Sequence, residues 1–312
     1  MQDTNYSLRP IYICGSTATG KTGLSIALTH RINGEIINAD AYQVYKGLNT
    51  ITAAPSTDEL TQAPHHLFGI LNPSEDFDAQ RYLELAQPVI ADIQSRGKIP
   101  IIVGGSGMYL KFLTHGPSPL PAGDESLRAY LDALTEEQLI ARLQELDSVG
   151  AAQTNLKNRR YVTRALEICI LSGRPMSELK TDWENSNEET EKHLRGMLLD
   201  WDRDELRDRI QLRTQMMIND GAIQEVATQL AVDQSLSKTC EKAIGIRYIK
   251  SHLKNEITQD QCQELIYFAT CQYAKRQRTW FNKEKWITKI PMHQGLTPVA
   301  ILDEYLENVL TP

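Results

Sequence analysis

Gly15, Gly20, Lys21 and Thr22, within the run "IYICGSTATGKT" from Ile11, fit G-x-x-x-x-G-K-[ST] without a mismatch. Residues of these types at this spacing bind phosphate. The glycines let backbone N–H groups turn inward, and the N-terminus of a following helix adds partial positive charge. Lys21 places a point charge on a terminal phosphate, and the Thr22 hydroxyl offers a ligand to Mg2+. What the phosphate belongs to stays open at this point.

The elements that must hold this loop are legible around it. Ile11-Tyr12-Ile13 reads as a strand, and "TGLSIALTHRING" as a helix stopping at Gly34. "GEIINADAY" carries a short apolar run ending at Asp40, one βα unit later. In a parallel sheet that puts Asp40 on the same carboxyl edge as the phosphate loop. A carboxylate there can take a proton from a nucleophile, although an N-cap or turn aspartate fits the pattern too. The best strand for a second magnesium acid, "IPIIVGG", ends instead in Gly104 and Gly105, and no N-K-x-D guanine reader is present. A small-molecule kinase and a group transferase fit equally well at this level.

The 312 residues allow one large domain and a smaller one. A hydrophobic content of 41% and a charged content of 23% are those of a globular protein. Cys14, Cys169, Cys240, Cys262 and Cys271 form no C-x-x-C pair, so neither a disulfide framework nor a zinc site is indicated. The polar start "MQDTNYSLRP" has no signal-peptide core, and no apolar run reaches membrane-spanning length, so a cytoplasmic, membrane-free enzyme is expected. The net charge of −7 argues weakly against a nucleic-acid partner, but only for the average surface.

Strand and helix patterns alternate up to about Gly116, which implies an α/β fold with a parallel sheet. Pro88 should kink or interrupt the helical run "SEDFDAQRYLELAQPVIADIQSRGK". The break "HGPSPLPAGDES" opens a helical stretch, including a capping box from Thr135 to Gln138, whereas "KTDWENSNEETEK" reads as a surface loop. "DRDELRDRIQLRTQMMINDGAIQEVATQL" and "DQCQELIYFATCQYAKRQRTWF" read as long helices. The expected division is a core of residues 1–116 and 196–312 around a helical insertion, 117–195.

The segments Asp40–Pro55, Ala63–Phe77, Ile99–Leu113, Arg159–Leu179 and Tyr273–Phe281 together resemble the tRNA dimethylallyltransferases, also called tRNA isopentenyltransferases. The combination of the phosphate loop with "DAYQVYKG", "PHHL" and "KRQRTW" carries the resemblance, which runs in order from Ile11 to Phe281. It implies a P-loop NTPase-like parallel-sheet core pierced by a channel, with an inserted helical domain that grips the anticodon stem-loop. The implied reaction moves a prenyl group from dimethylallyl diphosphate to N6 of the adenosine 3′ of the anticodon, with Mg2+ and a monomeric enzyme expected.

By the same resemblance, Gly15, Ser16, Thr17, Ala18, Thr19, Gly20, Lys21 and Thr22 hold the diphosphate. Thr17 sits beside the bridging oxygen, Arg213 clamps from the far side, Lys21 carries charge, Thr22 takes the metal, and Asp40 accepts the N6 proton. A tRNA role is implied for Asp40, Ala41, Tyr42, Gln43, Ser106, Arg128, Arg160, Tyr161, Val162, Thr163, Arg164, Lys242, Arg247, Lys275, Arg276, Gln277 and Arg278. Two basic clusters fit an RNA partner despite the acidic average: Lys157, Arg159, Arg160, Arg164 and Arg174, then Lys275, Arg276, Arg278, Lys283 and Lys285. Trp280 and Phe281 suit core packing and RNA support equally, with Tyr273 and Trp286 beside them. Tyr161, Leu166 and Ile170 are expected in a helix core, and His65 and His66 as loop-holding hydrogen-bond partners. Ala41, Ala54, Cys271 and Ile246 stand where the family usually has serine, lysine, arginine and tyrosine, departures that bear on tRNA grip. A P-loop kinase, a prenyltransferase of free adenine nucleotides and a non-catalytic RNA binder are the competing readings.

Overall fold

The computed structural model describes residues 8–117, 120–232 and 235–310. The chain divides into two compact units, Met1–Thr114 with Lys192–Pro312, and His115–Glu191. The expected border at 195/196 falls inside a strand, since Arg195 opens it.

In the first unit the order is β1 (Ile11–Cys14), α1 (Lys21–Ile32), β2 (Gly34–Asn38), α2 (Asn49–Thr52), α3 (Thr57–Gln62), β3 (His65–His66), α4 (Ala79–Ser95), β4 (Ile99–Gly104) and α5 (Gly107–His115). The second unit supplies α6 (Glu125–Asp132), α7 (Glu136–Leu146), α8 (Ser148–Gln153), α9 (Arg159–Ser172) and α10 (Met176–Glu191). The first unit resumes with β5 (Arg195–Trp201), α11 (Arg203–Asn219), α12 (Ala222–Ala231), α13 (Ile246–Leu253), α14 (Gln259–Phe281), β6 (Ile287–Met292) and α15 (Pro298–Leu310).

The six strands form one parallel sheet in the order β3-β2-β4-β1-β5-β6. Near-continuous apolar runs make the inner strands, and alternate side chains feed two cores. Tyr12, Cys14, Ile37, Ile102 and Leu198 pack with Tyr82 of α4 and Leu110 of α5. Ile11, Ile13, Ile36, Ile101 and Met197 pack with Leu24 and Leu28 of α1, Ile210 of α11 and Leu306 of α15. Connections from β1 and β4 leave toward opposite sides of the sheet, which opens a crevice at their carboxyl ends.

The second unit has its own core of Leu131, Leu139, Leu143, Val162, Leu166 and Met176. The Thr135 capping box is present at the start of α7.

Four expectations are corrected. Pro88 does not interrupt α4; it is exposed, as is Glu84, so the carbonyl it leaves without a donor faces water. Helix α1 stops one residue early, with Asn33 in the left-handed region at φ 52°, and Gly34 starts β2, where a Cβ would lie 2.8 Å from the Ile99 carbonyl. The "KTDWENSNEETEK" segment is the body of α10: glutamates and lysines favour helix without an apolar stripe. The run from Asp202 breaks at Gly221, φ 93°, into α11 and α12.

Edge strand β3 is held at the amino end of the sheet by Glu35, whose buried carboxylate meets His66 at 2.8 Å, Lys98 at 2.7 Å and the Arg96 guanidinium. His65 bonds the Ala63 carbonyl, so both histidines hold the loop as expected. The Arg96 hydrogen bond, ahead of those from Lys98 and His66, keeps Glu35 far below the usual carboxylate range. A depressed folded pKa stabilises above the unfolded value of about 4.3 and is lost as pH falls below it. Glu35→Gln should cost about 1–3 kcal/mol at pH 7, read by urea unfolding, with the gap to wild type narrowing below about pH 4. A gap unchanged between pH 7 and 3.5 would refute the ion cluster's role.

Candidate active site

The phosphate loop closes between the end of β1 and the first turn of α1. Gly15, at φ 152°, lies so close to Thr19 that a Cβ would come 2.8 Å from its Oγ1, and Gly20, at φ 97°, caps α1 in a left-handed turn. Trp201 fixes the loop from β5 by donating Nε1–H to the Thr19 carbonyl at 3.0 Å. Arg209 donates to the Ala18 carbonyl at 2.8 Å while stacked on the Trp201 ring, 4.2 Å from its centroid. Sequence reasoning missed Arg209; its place one helical turn before Arg213, on the same face of α11, was the available signal.

Lys21 donates to the carbonyls of Ser16 at 2.7 Å and Gly15 at 3.1 Å. Arg213 donates to Thr17 Oγ1 and to the Ala53 carbonyl, each at 3.2 Å. The structure therefore brings Thr17, Lys21 and Arg213 together as the sequence implied.

Asp40 lies just past β2 at the same edge. Asn38, fully buried and unnoticed in the sequence, accepts the Asp40 N–H at 2.9 Å and donates to the Leu67 carbonyl at 3.0 Å. The Asp40 carboxylate accepts the Tyr42 N–H at 2.9 Å. Ser106 Oγ accepts the Ala41 N–H at 3.0 Å, which pins the same loop from the β4–α5 turn.

Loop, carboxylate and clamp share one cavity of about 550 Å3. Thr17, Lys21, Thr22, Asp40, Tyr42, Gln43 and Arg213 line it on the polar side; Ile51, Met217, Ile244 and Ile266 line it on the apolar side. Burial, then the neighbouring Arg213 charge, lowers the Lys21 pKa to about 8, against the pull of Asp40. Burial likewise lowers the pKa of Arg213, but a guanidinium remains charged in any case.

Several residues with an implied tRNA contact are engaged inside the protein. Gln277 is buried, and its carboxamide accepts the Thr17 N–H at 3.1 Å and donates to the Gly105 carbonyl at 2.9 Å. Val162 and Thr163 are buried within the second unit, whereas Tyr161 and Ile170, expected in its core, are exposed; Leu166 is buried as expected. Arg159 donates to the carbonyls of Leu131 and Asp132 at the end of α6 and of Leu134 just beyond it. Arg164 and Arg128 both pair with buried Glu167, at 2.6 and 3.0 Å, and Arg174 pairs with Asp182 at 2.8 Å. Arg160 is exposed with no side-chain partner among the described residues.

In the first unit, Phe281 is core, Trp280 packs over Gly107, and Trp286 meets the Tyr12 ring edge-on. Gln43 donates to the Thr52 and Ala53 carbonyls. Lys242, Lys275 and Arg276 are exposed; Arg247 lies over the Tyr248 ring, and Arg278 is 3.4 Å from Asp200.

Comparison with known proteins accords with this geometry. The IPP transferase family profile matches residues 43–284. The chain is 38% identical over 299 residues to a tRNA dimethylallyltransferase of Akkermansia muciniphila, covering 96% of this chain and 99% of that protein. It is 39% identical over 284 residues to tRNA dimethylallyltransferase 1 of Citrifermentans bemidjiense, covering 91% and 92%. The full-length tRNA isopentenylpyrophosphate transferase of Bacillus halodurans has a similar solved structure, at 31% identity and a TM-score of 0.70, with 97% of each chain covered. A eukaryotic dimethylallyltransferase acting on tRNA matches at 27% identity and a TM-score of 0.74, over 97% of this chain and 77% of that one.

The lowered Lys21 pKa makes a pH prediction for the cradle. An anion bound there favours the ammonium form, so binding takes up a proton once free Lys21 begins to lose its own. Inorganic diphosphate affinity should hold below pH 8 and fall by up to about tenfold per pH unit above it. Calorimetric titration from pH 6.5 to 9.5 reads this directly; affinity flat across that range would show that Lys21 does not face the anion.

Proposed function

This chain belongs to the IPP transferase family, and we propose that it transfers a dimethylallyl group from dimethylallyl diphosphate to adenosine N6, 3′ of the anticodon in tRNA. The observation that carries this reading is one cavity holding a phosphate loop, two half-buried cations and a strand-end carboxylate. The allylic C–O bond breaks and diphosphate departs with the bonding pair. The N6 lone pair forms the new C–N bond, and the N6 proton passes to Asp40. Backbone N–H groups of the loop, Lys21 and Arg213 stabilise the charge that grows on the leaving oxygens. Thr17, held by Arg213, would stand beside the bridging oxygen. The apolar wall of Ile51, Met217, Ile244 and Ile266 suits a five-carbon tail.

An adenine amine is a weak nucleophile, so orientation and a proton acceptor matter more than basicity of the amine. Its base must leave the stacked anticodon loop to reach the cavity. The Thr22 hydroxyl lines the cavity at the first turn of α1, a hard oxygen donor that fits Mg2+. When bound, the ion would neutralise charge on the leaving diphosphate. Arg160 in the second unit, and Lys242, Lys275 and Arg276 in the first, are the exposed cations offered to tRNA phosphates. Internally engaged Arg159 and Arg164 are withdrawn from that role.

Incubation of unmodified tRNA with dimethylallyl diphosphate and Mg2+, followed by nucleoside mass spectrometry, tests the reaction. A mass gain of one prenyl group on adenosine is expected; ATP-dependent phosphorylation of a small molecule without RNA would favour a kinase instead. Asp40→Asn should lower kcat by about a hundredfold or more with both substrates still bound. Retained turnover with a flat pH profile would remove the base role from Asp40. Stem-loop affinity should fall steeply with salt, and Arg160→Glu should flatten the log–log slope by about 0.7–0.9 without changing diphosphate affinity. An unchanged slope would place Arg160 outside the RNA contact.

A further inference from the structure

One face of α14 docks residue by residue on the turn between β4 and α5. The Gln277 carboxamide bonds the Gly105 carbonyl, and the Trp280 ring covers Gly107. These two side chains stand three residues apart, on a single face of the helix. The glycines are required for the contact: a Cβ on Gly105 would lie 2.2 Å from Gln277 Nε2, and one on Gly107 2.3 Å from the Trp280 ring. The turn in turn touches both reactive loops. Ser106 Oγ takes the Ala41 N–H beside Asp40, and Gln277 Oε1 takes the Thr17 N–H within the phosphate loop.

Gln277 uses both ends of its amide here, one as donor and one as acceptor. Thr17 is the residue whose hydroxyl accepts from Arg213 at 3.2 Å. Its backbone is thus tied to α14 while its side chain is tied to α11. Lys275 and Arg276, just before Gln277 and exposed on the same helix, are among the cations offered to RNA phosphates.

We propose that Gln277 is a positioning residue that ties Thr17, and with it the leaving-group end of the cavity, to the seating of α14. This rests on the prenyl-transfer reading above. RNA held by the outer face of α14 and the diphosphate loop on its inner face then share one rigid element. The loop's alignment depends on the helix that carries the RNA, through a single carboxamide.

The test is a double-variant cycle of Gln277→Met with Thr17→Ala, assayed by prenyl transfer to an anticodon stem-loop. Methionine keeps the length and removes both hydrogen bonds. Gln277→Met should lower kcat about tenfold with the stem-loop Kd within about twofold of wild type. In the Thr17→Ala background the same change should cost less than about threefold, because its effect runs through Thr17. An additive tenfold loss, or an unchanged kcat, overturns the proposal. Gln277→Leu, which likewise removes both hydrogen bonds with a side chain of similar bulk, carries the same cycle if the methionine variant fails to fold. Hydrogen exchange of the Thr17 amide reads the tie without any turnover. Faster exchange in Gln277→Met supports it even if the wild type transfers no prenyl group, and unchanged exchange refutes it.

Discussion

The structure is organised around two cations that have little water to share. Lys21 and Arg213 face one cavity, and each loses solvation there while repelling the other. Such a pair is tolerable only if fixed dipoles replace the water. The carbonyls of Gly15 and Ser16 accept from Lys21; the Ala53 carbonyl and Thr17 hydroxyl accept from Arg213. The acceptors come from two segments, the loop after β1 and the residue after α2, so the fold must bring both of them to α11 at one point. The diverging connections of β1 and β4 leave the space in which this happens. The charge concentrated there fits the proposed reaction, since a site pre-loaded with positive charge stabilises a leaving anion without reorganising.

The sheet, the phosphate loop and Asp40 were legible because each rests on a local signal: apolar runs, glycine spacing, a strand-end acid. The long-range ties were not. Asn38 looks like the tail of a strand, yet it fixes the Asp40 loop through bonds to Asp40 N–H and the Leu67 carbonyl. Gln277 sits in a basic run and reads as an RNA contact, although its helix turns it inward. Pro88 misled because whether a missing N–H matters depends on which side of the helix faces water. The α10 segment misled because a helix of polar residues leaves no apolar period to detect.

The basic clusters show the same limit in electrostatic form. A run of arginines states charge but not where the charge goes. The second unit has a small core, and it uses Arg159 to satisfy the carbonyls at the end of α6, and Arg128 and Arg164 to neutralise buried Glu167. An arginine whose donors are so engaged has little left for a phosphate. Arg160, adjacent in sequence to Arg159, differs because its side chain leaves the helix on the exposed face. Reading such a cluster therefore requires the partner of each guanidinium, and net charge of −7 is compatible with RNA binding through a few unengaged cations.

The acids at the carboxyl edge of the sheet decide between group transfer and phosphoryl transfer. A phosphate loop that moves a phosphoryl group needs a further carboxylate beside β1 to organise its metal. On one side β4 ends in glycine, and a Cβ on Gly104 would lie 2.1 Å from the Ala39 carbonyl oxygen, so no larger residue fits there. On the other side, Asp200 of β5 is ion-paired with Arg278, and Asp202 caps α11 by accepting the Asp204 N–H at 2.8 Å. In the cavity wall, Glu59 is committed to its own capping box through the Ser56 N–H at 2.8 Å. Among the described residues, Asp40 is the acid that remains, held by one backbone N–H and open to the cavity. A lone carboxylate opposite a cationic cradle is poorly equipped to build a kinase metal site. It is well placed to accept the one proton that prenylation of an amine must release.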